Sequence, residues 1–194
     1  MGREDRLERD TEILFWRRTD VAGLERMVLR VGAEAVTAEA TILCLEDGGF
    51  ELAHRWRLTP DWRALSVQVE KVGPAGRTAL TLERVDGGWA VDGTRRAELD
   101  GTDEPDLSVT PFCNTLPIRR MVGEKRRSLT LETCYVDAAS MTVARSRQRY
   151  DRLGPARLRY VDLGLSAGFE ADLEVDERGL VIRYEHLFER VAPL

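Results

Sequence analysis

Gly164-Leu-Ser-Ala-Gly168 has the GxSxG spacing of a nucleophile elbow, and Asp176 and His186 come after it in hydrolase order. That chemistry needs Ser166 on a strained turn between a strand and a helix, with an imidazole within hydrogen-bond reach. The residues after Gly168 instead carry the strictest alternation in the chain. Phe169, Ala171, Leu173 and Val175 interleave with Glu170, Asp172, Glu174 and Asp176. Such a period of two is a strand pattern, so a hairpin loop is expected around Ser166. An esterase-like hydrolase through Ser166 stays as an alternative, and no other catalytic set is assigned.

The remaining reactive side chains divide in the same way. Only His54 and His186 are available as imidazoles, and Cys44, Cys113 and Cys134 form no CxxC pair, so no zinc site is expected. Asp100, Asp103, Glu104 and Asp106 are rich in oxygen ligands but lack EF-hand spacing. Capping and turn formation suit them better, and Asp92 with Asp106 is a remote glycosidase pair. No metal and no cofactor are expected. His54 shares a strand face with Leu52, Trp56 and Leu58 and reads as a core histidine. Arg145, Arg147 and Arg149 form a basic stripe, matched by the acidic stripe Glu170, Asp172 and Glu174. A solvated ladder between neighbouring strands is expected from these two faces. A net charge of −5 argues against nucleic acid as a partner. Arg119 and Arg120 could fork onto an anionic headgroup, or clamp Asp103 or Asp106. The rings of Trp56, Trp62, Trp89, Tyr150, Tyr160 and Tyr184 suit either sugar stacking or core filling.

The elements that must position these groups are mostly strands. Alternation recurs at Leu52–Leu58, Leu65–Val69, Leu80–Leu82 and Leu129–Tyr135. Turn signals separate the runs, among them Asp47-Gly48-Gly49, Gly73-Pro74, Asp86-Gly87-Gly88 and Glu177-Arg178-Gly179. Many short hairpin-linked strands imply one large, mainly antiparallel sheet that must curl or cover its apolar face. The cover is the stretch with prolines at 105, 111 and 117, predicted to hold a short or kinked helix within 105–120, with Thr110 as N-cap and Pro111 at its first position. A length of 194 residues suits a single domain over 1–194, residues 1–12 being a frayed extension. The N-terminus has no apolar signal region, and the longest apolar stretch, about Ala40–Leu45, is far short of the roughly 20 residues of a transmembrane helix. A cytoplasmic protein with reduced thiols is expected. The near-absence of lysine beside abundant arginine suggests a bacterium with a GC-rich genome.

Blocks of this sequence resemble a bacterial glycolipid-binding family. They are His54-Arg-Trp-Arg-Leu-Thr-Pro-Asp-Trp-Arg63, Trp89-Ala-Val-Asp-Gly93, Leu99-Asp-Gly-Thr-Asp-Glu-Pro-Asp-Leu107, Arg147-Gln-Arg-Tyr150 and Phe169–Asp176. The most specific is Thr110-Pro-Phe-Cys-Asn-Thr-Leu-Pro-Ile-Arg-Arg120. The resemblance implies a spiral β-roll, a many-stranded sheet wrapped around one short helix and often dimeric. Its shape is similar to that of the periplasmic lipoprotein-localisation factors, which hold acyl chains in a half-barrel. The implied function is non-enzymatic binding of an amphipathic, glycolipid-like ligand inside the curled sheet. Within such a roll Trp56, Trp62 and Tyr150 are expected as wall residues, with Arg119 and Arg120 at the polar end. A homodimeric scaffold without ligand is the competing reading.

Overall fold

The computed structural model describes residues 11–192. The charged residues 1–10, expected as part of a frayed extension, lie outside that range; Thr11 and Glu12, expected in it as well, belong to β1. Eight strands succeed one another through the first half: β1 (Thr11–Arg18), β2 (Gly23–Val31), β3 (Val36–Cys44), β4 (Phe50–Leu58), β5 (Ala64–Gly73), β6 (Gly76–Val85), β7 (Gly88–Val91) and β8 (Thr94–Arg95). The second half holds β9 (Glu104–Leu107), α1 (Phe112–Gly123), β10 (Ser128–Asp137), β11 (Thr142–Arg152), β12 (Arg157–Asp162), β13 (Glu170–Val175), β14 (Val181–Tyr184) and β15 (Phe188–Val191).

All of these strands form one sheet in the order β8-β7-β6-β5-β4-β3-β2-β1-β15-β14-β13-β12-β11-β10-β9. Each half is a meander, and the two meanders join where β1 pairs antiparallel with β15, Phe15 opposite Val191. Only β9 and β10 run parallel, and α1 is their crossover. The chain therefore leaves one edge of the sheet at β8 and re-enters at the far edge, β9.

That sheet is curled and not closed into a barrel. Edge strand β9 packs against β5, which lies well inside the other half. Glu104 makes the join: its Oε2 accepts the backbone N–H of Ala64 at 2.9 Å and an Arg84 N–H at 3.1 Å. Arg84 also donates to the carbonyls of Ala64 and Asp103. Burial pushes the Glu104 carboxyl above its usual range, against the pull of Arg84 and Arg63. On the outer lap, Arg145 of β11 donates to the carbonyl of Asp100 at 2.9 Å.

The interior is filled by α1. Phe112, Cys113 and Leu116 pack with the inward side chains of β1–β7, including Trp16, Leu52, Trp56 and Val67. Ile118 and Met121 pack with Leu129, Tyr150, Leu173 and Phe188 of the other half. A helix with apolar side chains on so much of its circumference is stable only when surrounded. Each fully buried large side chain contributes about 1.5–3 kcal/mol, so the helix holds the two meanders together. The expected helix is displaced: Glu104–Leu107 is strand, because its backbone completes the edge of β10, and the helix runs on to Gly123. The cap position is Pro111, one residue after the expected Thr110, though Thr110 Oγ1 still accepts the Phe112 N–H at 3.2 Å. Pro117 lies inside the continuous helix. It lacks the N–H that would donate to the Cys113 carbonyl, and packing on both sides of the helix holds the turn despite the lost bond.

The charged stripes also pair differently from expectation. β12 lies between β11 and β13, so the two stripes never face each other. Arg145 and Arg147 reach Glu132 on β10, Arg149 reaches Asp151, and Asp172 takes Arg157 and Arg159 from β12.

Candidate functional site

A cavity of about 1150 Å³ opens beside the C-terminal half of α1. Three loops wall it: the turn before β5, the β11–β12 turn and the β13–β14 turn. Trp62 comes from the first. Its φ of 66° is a left-handed conformation that a bulky residue adopts only when the surroundings impose it. Here Thr59 imposes it. Its carbonyl accepts the Trp62 N–H at 2.9 Å, its N–H donates to the Arg63 carbonyl at 2.9 Å, and its Oγ1 accepts the Arg63 N–H at 3.0 Å. The indole is thereby folded inward, 6% exposed, with its ring 6.4 Å from Phe112. Gly179 supplies the opposite wall. With φ of +81° it approaches the helix so closely that a Cβ would meet Arg119 Cγ at 3.2 Å.

The lining is part apolar, with Trp62, Leu116, Val122, Ala156 and Val175, and part charged, with five arginines beside five carboxylates. Arg119 lies over the Trp62 ring at 4.1 Å, and its Nη1 donates to the carbonyl of Arg178 at 2.6 Å. Burial, together with the nearby Arg178, lowers its pKa from the ordinary arginine value. Arg120 is spent on structure: Nη1 donates to Asp103 at 2.5 Å, and Glu124 lies 3.4 Å from Nε. Arg152, from the end of β11, also contributes to the lining. Its Nε and Nη2 are shielded from solvent and have no hydrogen-bond partner among the described residues.

Of the five residues expected at a ligand, Trp62, Arg119 and Arg120 line this cavity. Trp56 and Tyr150 line neither it nor a second, smaller cavity at the other half of the helix. Trp56 is packed edge-on against Phe112 and donates from Nε1 to His54 Nδ1 at 2.9 Å. His54 is the core histidine expected, its Nε2 3.0 Å from Glu25 Oε1, which Thr110 Oγ1 also approaches at 2.9 Å. Tyr150 is wholly buried, accepting from Asn114 at 2.7 Å and donating to Gln148 at 3.2 Å. Arg152 and Arg178 did not figure among the expected ligand residues. Arg152 has the same parity along β11 as inward-facing Tyr150, and an arginine on the inward parity is the signal that points to it.

The second cavity, of about 230 Å³, lies at the N-terminal half of α1, between Asn114, Asp106, Asp162, Tyr160 and Tyr184. Ser166 lines it, but Asp176 lines the larger cavity. Asp176 is occupied by Arg190 at 2.9 Å and by the Arg178 and Leu180 N–H groups. His186 is exposed, with only Glu185 near its Nε2 at 3.6 Å. Ser166, Asp176 and His186 thus make no hydrogen bond to one another among the described residues. The loop after β12 is held by Asp162, which accepts the Gly164 and Ser166 N–H groups, and it leads into β13, not into a helix. The acidic run is likewise divided among separate partners, Asp100 with Arg95, Asp103 with Arg120 and Asp106 with the Cys113 thiol. No group of three or more metal-ligating side chains occurs among the described residues.

An unclosed fifteen-stranded roll around one helix is the arrangement the sequence resemblance implied. The family model described as "Putative glycolipid-binding" matches residues 13–190. The chain belongs to this family. A DUF1089 family protein of known crystal structure, from Pseudomonas aeruginosa, is 31% identical to this glycolipid-binding family member. The two superpose with a TM-score of 0.74 over 86% of this chain and 92% of that one. No functionally curated protein matches the chain. Among the described residues of this family member, no helix is long and apolar enough to cross a membrane.

Proposed function

We propose that the protein binds an amphipathic, glycolipid-like molecule, without chemistry, in the cavity beside the C-terminal half of α1. The observation that carries this reading is the mixed lining of the cavity, in which apolar side chains lie beside guanidinium groups. An acyl or prenyl segment buries its own surface there together with that of exposed Val122 and Ala156, which favours binding by about 25 cal/mol per Å² removed from water. A polar head stays at Arg119. The volume of about 1150 Å³ is at the upper end for small-molecule sites, which run to about 1,000 Å³. The loop geometry supports the reading as well, since strain of the kind held at Trp62 clusters at ligand clamps.

Native mass spectrometry of the protein purified from its own host, with subsequent extraction of bound lipid, tests the proposal. An adduct that extracts as an amphipathic molecule is expected, and Trp62→Ala should reduce its occupancy. Protein that arrives free of lipid, and whose thermal stability no amphiphile in a panel of glycolipids raises, would be a scaffold instead.

A further inference from the structure

The smaller cavity, at the N-terminal half of α1, shares no lining residue with the larger one. Two carboxylates line it, Asp106 from edge strand β9 and Asp162 from the end of β12, and among the described residues no arginine, lysine or histidine does. The hydrogen-bond partners of both are neutral. Asp106 Oδ1 accepts from the Cys113 thiol at 3.0 Å, and Asp162 accepts from the Gly164 and Ser166 N–H groups and the Tyr160 hydroxyl. Burial raises the Asp106 carboxyl above its usual range, and the Asp162 carboxylate adds to the rise. Three oxygens open onto the same space. Tyr184 is 6% exposed and Asn114 4%, and both line the cavity. Asn114 Nδ2 donates to Tyr150 at 2.7 Å, which leaves its Oδ1 without a partner. The Tyr184 hydroxyl and Asp106 Oδ2 likewise have no hydrogen-bond partner among the described residues. None of the three is sealed from solvent, so each reaches open space. Asp106 and Asp162 both add to the rise that burial gives the Tyr184 hydroxyl, which places that oxygen beside the carboxylates. The walls are aromatic. Tyr184 is central among them, with its ring centroid 5.8 Å from Tyr160, 6.5 Å from Phe169 and 6.1 Å from Phe188.

We propose that this smaller cavity binds a small organic ammonium, which donates to Asp106 Oδ2, Asn114 Oδ1 and the Tyr184 hydroxyl and lays its stem against the rings. An ammonium has three N–H donors for three free oxygens. It also brings the positive charge that two enclosed carboxylates lack, and ring faces attract it. A neutral sugar finds the same oxygens and rings but leaves both negative charges uncompensated. A metal ion is a poorer fit, since no three metal-ligating side chains come together among the described residues. The cavity of about 230 Å³ is smaller than drug-sized sites, which begin at about 300 Å³, so the ligand is a short amine. The inference is independent of the amphipathic ligand assigned to the larger cavity.

The test is calorimetric titration of the whole chain with n-propylammonium chloride, 1-propanol, methyl glucoside and glycerophosphoethanolamine. n-Propylammonium should bind saturably, and 1-propanol, of the same size without the charge, about tenfold more weakly or worse. Glycerophosphoethanolamine should bind less tightly than n-propylammonium, because its phosphate meets two carboxylates. Tighter binding of it would uphold the ammonium site and assign its source to a lipid headgroup. Asp106→Asn, which keeps an oxygen and removes the charge, should weaken n-propylammonium about tenfold. Tyr184→Phe removes only a hydroxyl without a partner in the fold. It should leave the thermal midpoint of the ligand-free protein unchanged and weaken n-propylammonium about threefold or more. The proposal is overturned if n-propylammonium gives no saturable heat, if 1-propanol or methyl glucoside binds as tightly, or if both variants bind the amine as well as the parent does.

Discussion

The guanidinium carbon of Arg119 lies 4.1 Å from the centroid of the Trp62 ring, so a cation covers the face of an indole held in a left-handed turn. The contact joins the helix to the loop before β5. A cation over an indole contributes about 0.5–2 kcal/mol, more when desolvated. Arg119→Met keeps much of the apolar stem and removes the charge. It should cost about 1 kcal/mol in urea denaturation and leave the Trp62 face open. Trp16, Trp56 and Trp89 are each no more than 2% exposed. A rise in acrylamide quenching of the variant therefore reports Trp62. Unchanged quenching would show that Arg119 does not cover the ring in solution.

His54 is held between Trp56 and Glu25 in a chain of fixed polarity. Indole Nε1 can only donate, so His54 Nδ1 accepts and its Nε2–H donates to Glu25 Oε1. His54→Phe would strand the Trp56 N–H and remove one donor from Glu25, both buried. The expected loss is about 3 kcal/mol, since each unmade buried hydrogen bond costs about 1–3 kcal/mol. The midpoint of guanidinium denaturation measures it. A loss under about 1 kcal/mol would mean that water replaces the ring.

The strands were legible because this sheet has one apolar face, which writes a period of two into β4, β5, β10 and β13. The parallel pairing of β9 was not. Glu104-Pro-Asp-Leu107 is short and proline-bearing, and it becomes strand only because it lies beside β10. The stripe partners were hidden for a related reason: local alternation gives the faces of β11 and β13 but not the strand between them. At the site, Trp62, Arg119 and Arg120 could be singled out as aromatic and paired-cation residues. No local pattern says that Trp56 and Tyr150 face the helix and not the cavity, since both have the inward parity of their strands. Arg152 required the same parity argument in reverse, with a charge where an apolar residue belongs.

The three cysteines are reduced and buried. Burial drives the Cys113 thiol well up, as does the neighbouring Asp106 carboxylate that accepts its hydrogen bond. Burial likewise pushes Cys134 up to about 11 from an ordinary 9.0. A thiol at about 11 carries about a hundredfold less thiolate at pH 8 than one at 9, and only thiolate attacks a disulfide reagent. Ellman's reagent at pH 8 should therefore modify Cys113 and Cys134 no faster than the protein unfolds, and all three cysteines promptly in guanidinium. Prompt labelling of the double variant Cys44→Ser, Cys113→Ser, with native circular dichroism retained, would contradict the burial of Cys134.

Asp106 links the helix to the sheet edge through the Cys113 thiol, and its burial sets a pH dependence. Desolvation raises its pKa above the ordinary 3.8, and the nearby Asp162 carboxylate adds to the rise, against the Cys113 hydrogen bond. A group whose folded pKa is raised contributes stability that is fully present below its unfolded pKa. That stability is lost as pH climbs through the folded pKa, because the unfolded chain gives up its proton first. The wild-type contribution from Asp106 should therefore decline as pH rises above about 3.8. Asp106→Asn keeps an oxygen to accept from Cys113 and does not titrate. Its stability relative to wild type should rise with pH across that window, at a slope of up to about 1.4 kcal/mol per pH unit. Above the folded pKa the difference should become constant. Urea denaturation of both proteins at half-unit steps from pH 3.5 to neutrality measures this, and parallel profiles would show that Asp106 is solvated or paired in the folded protein.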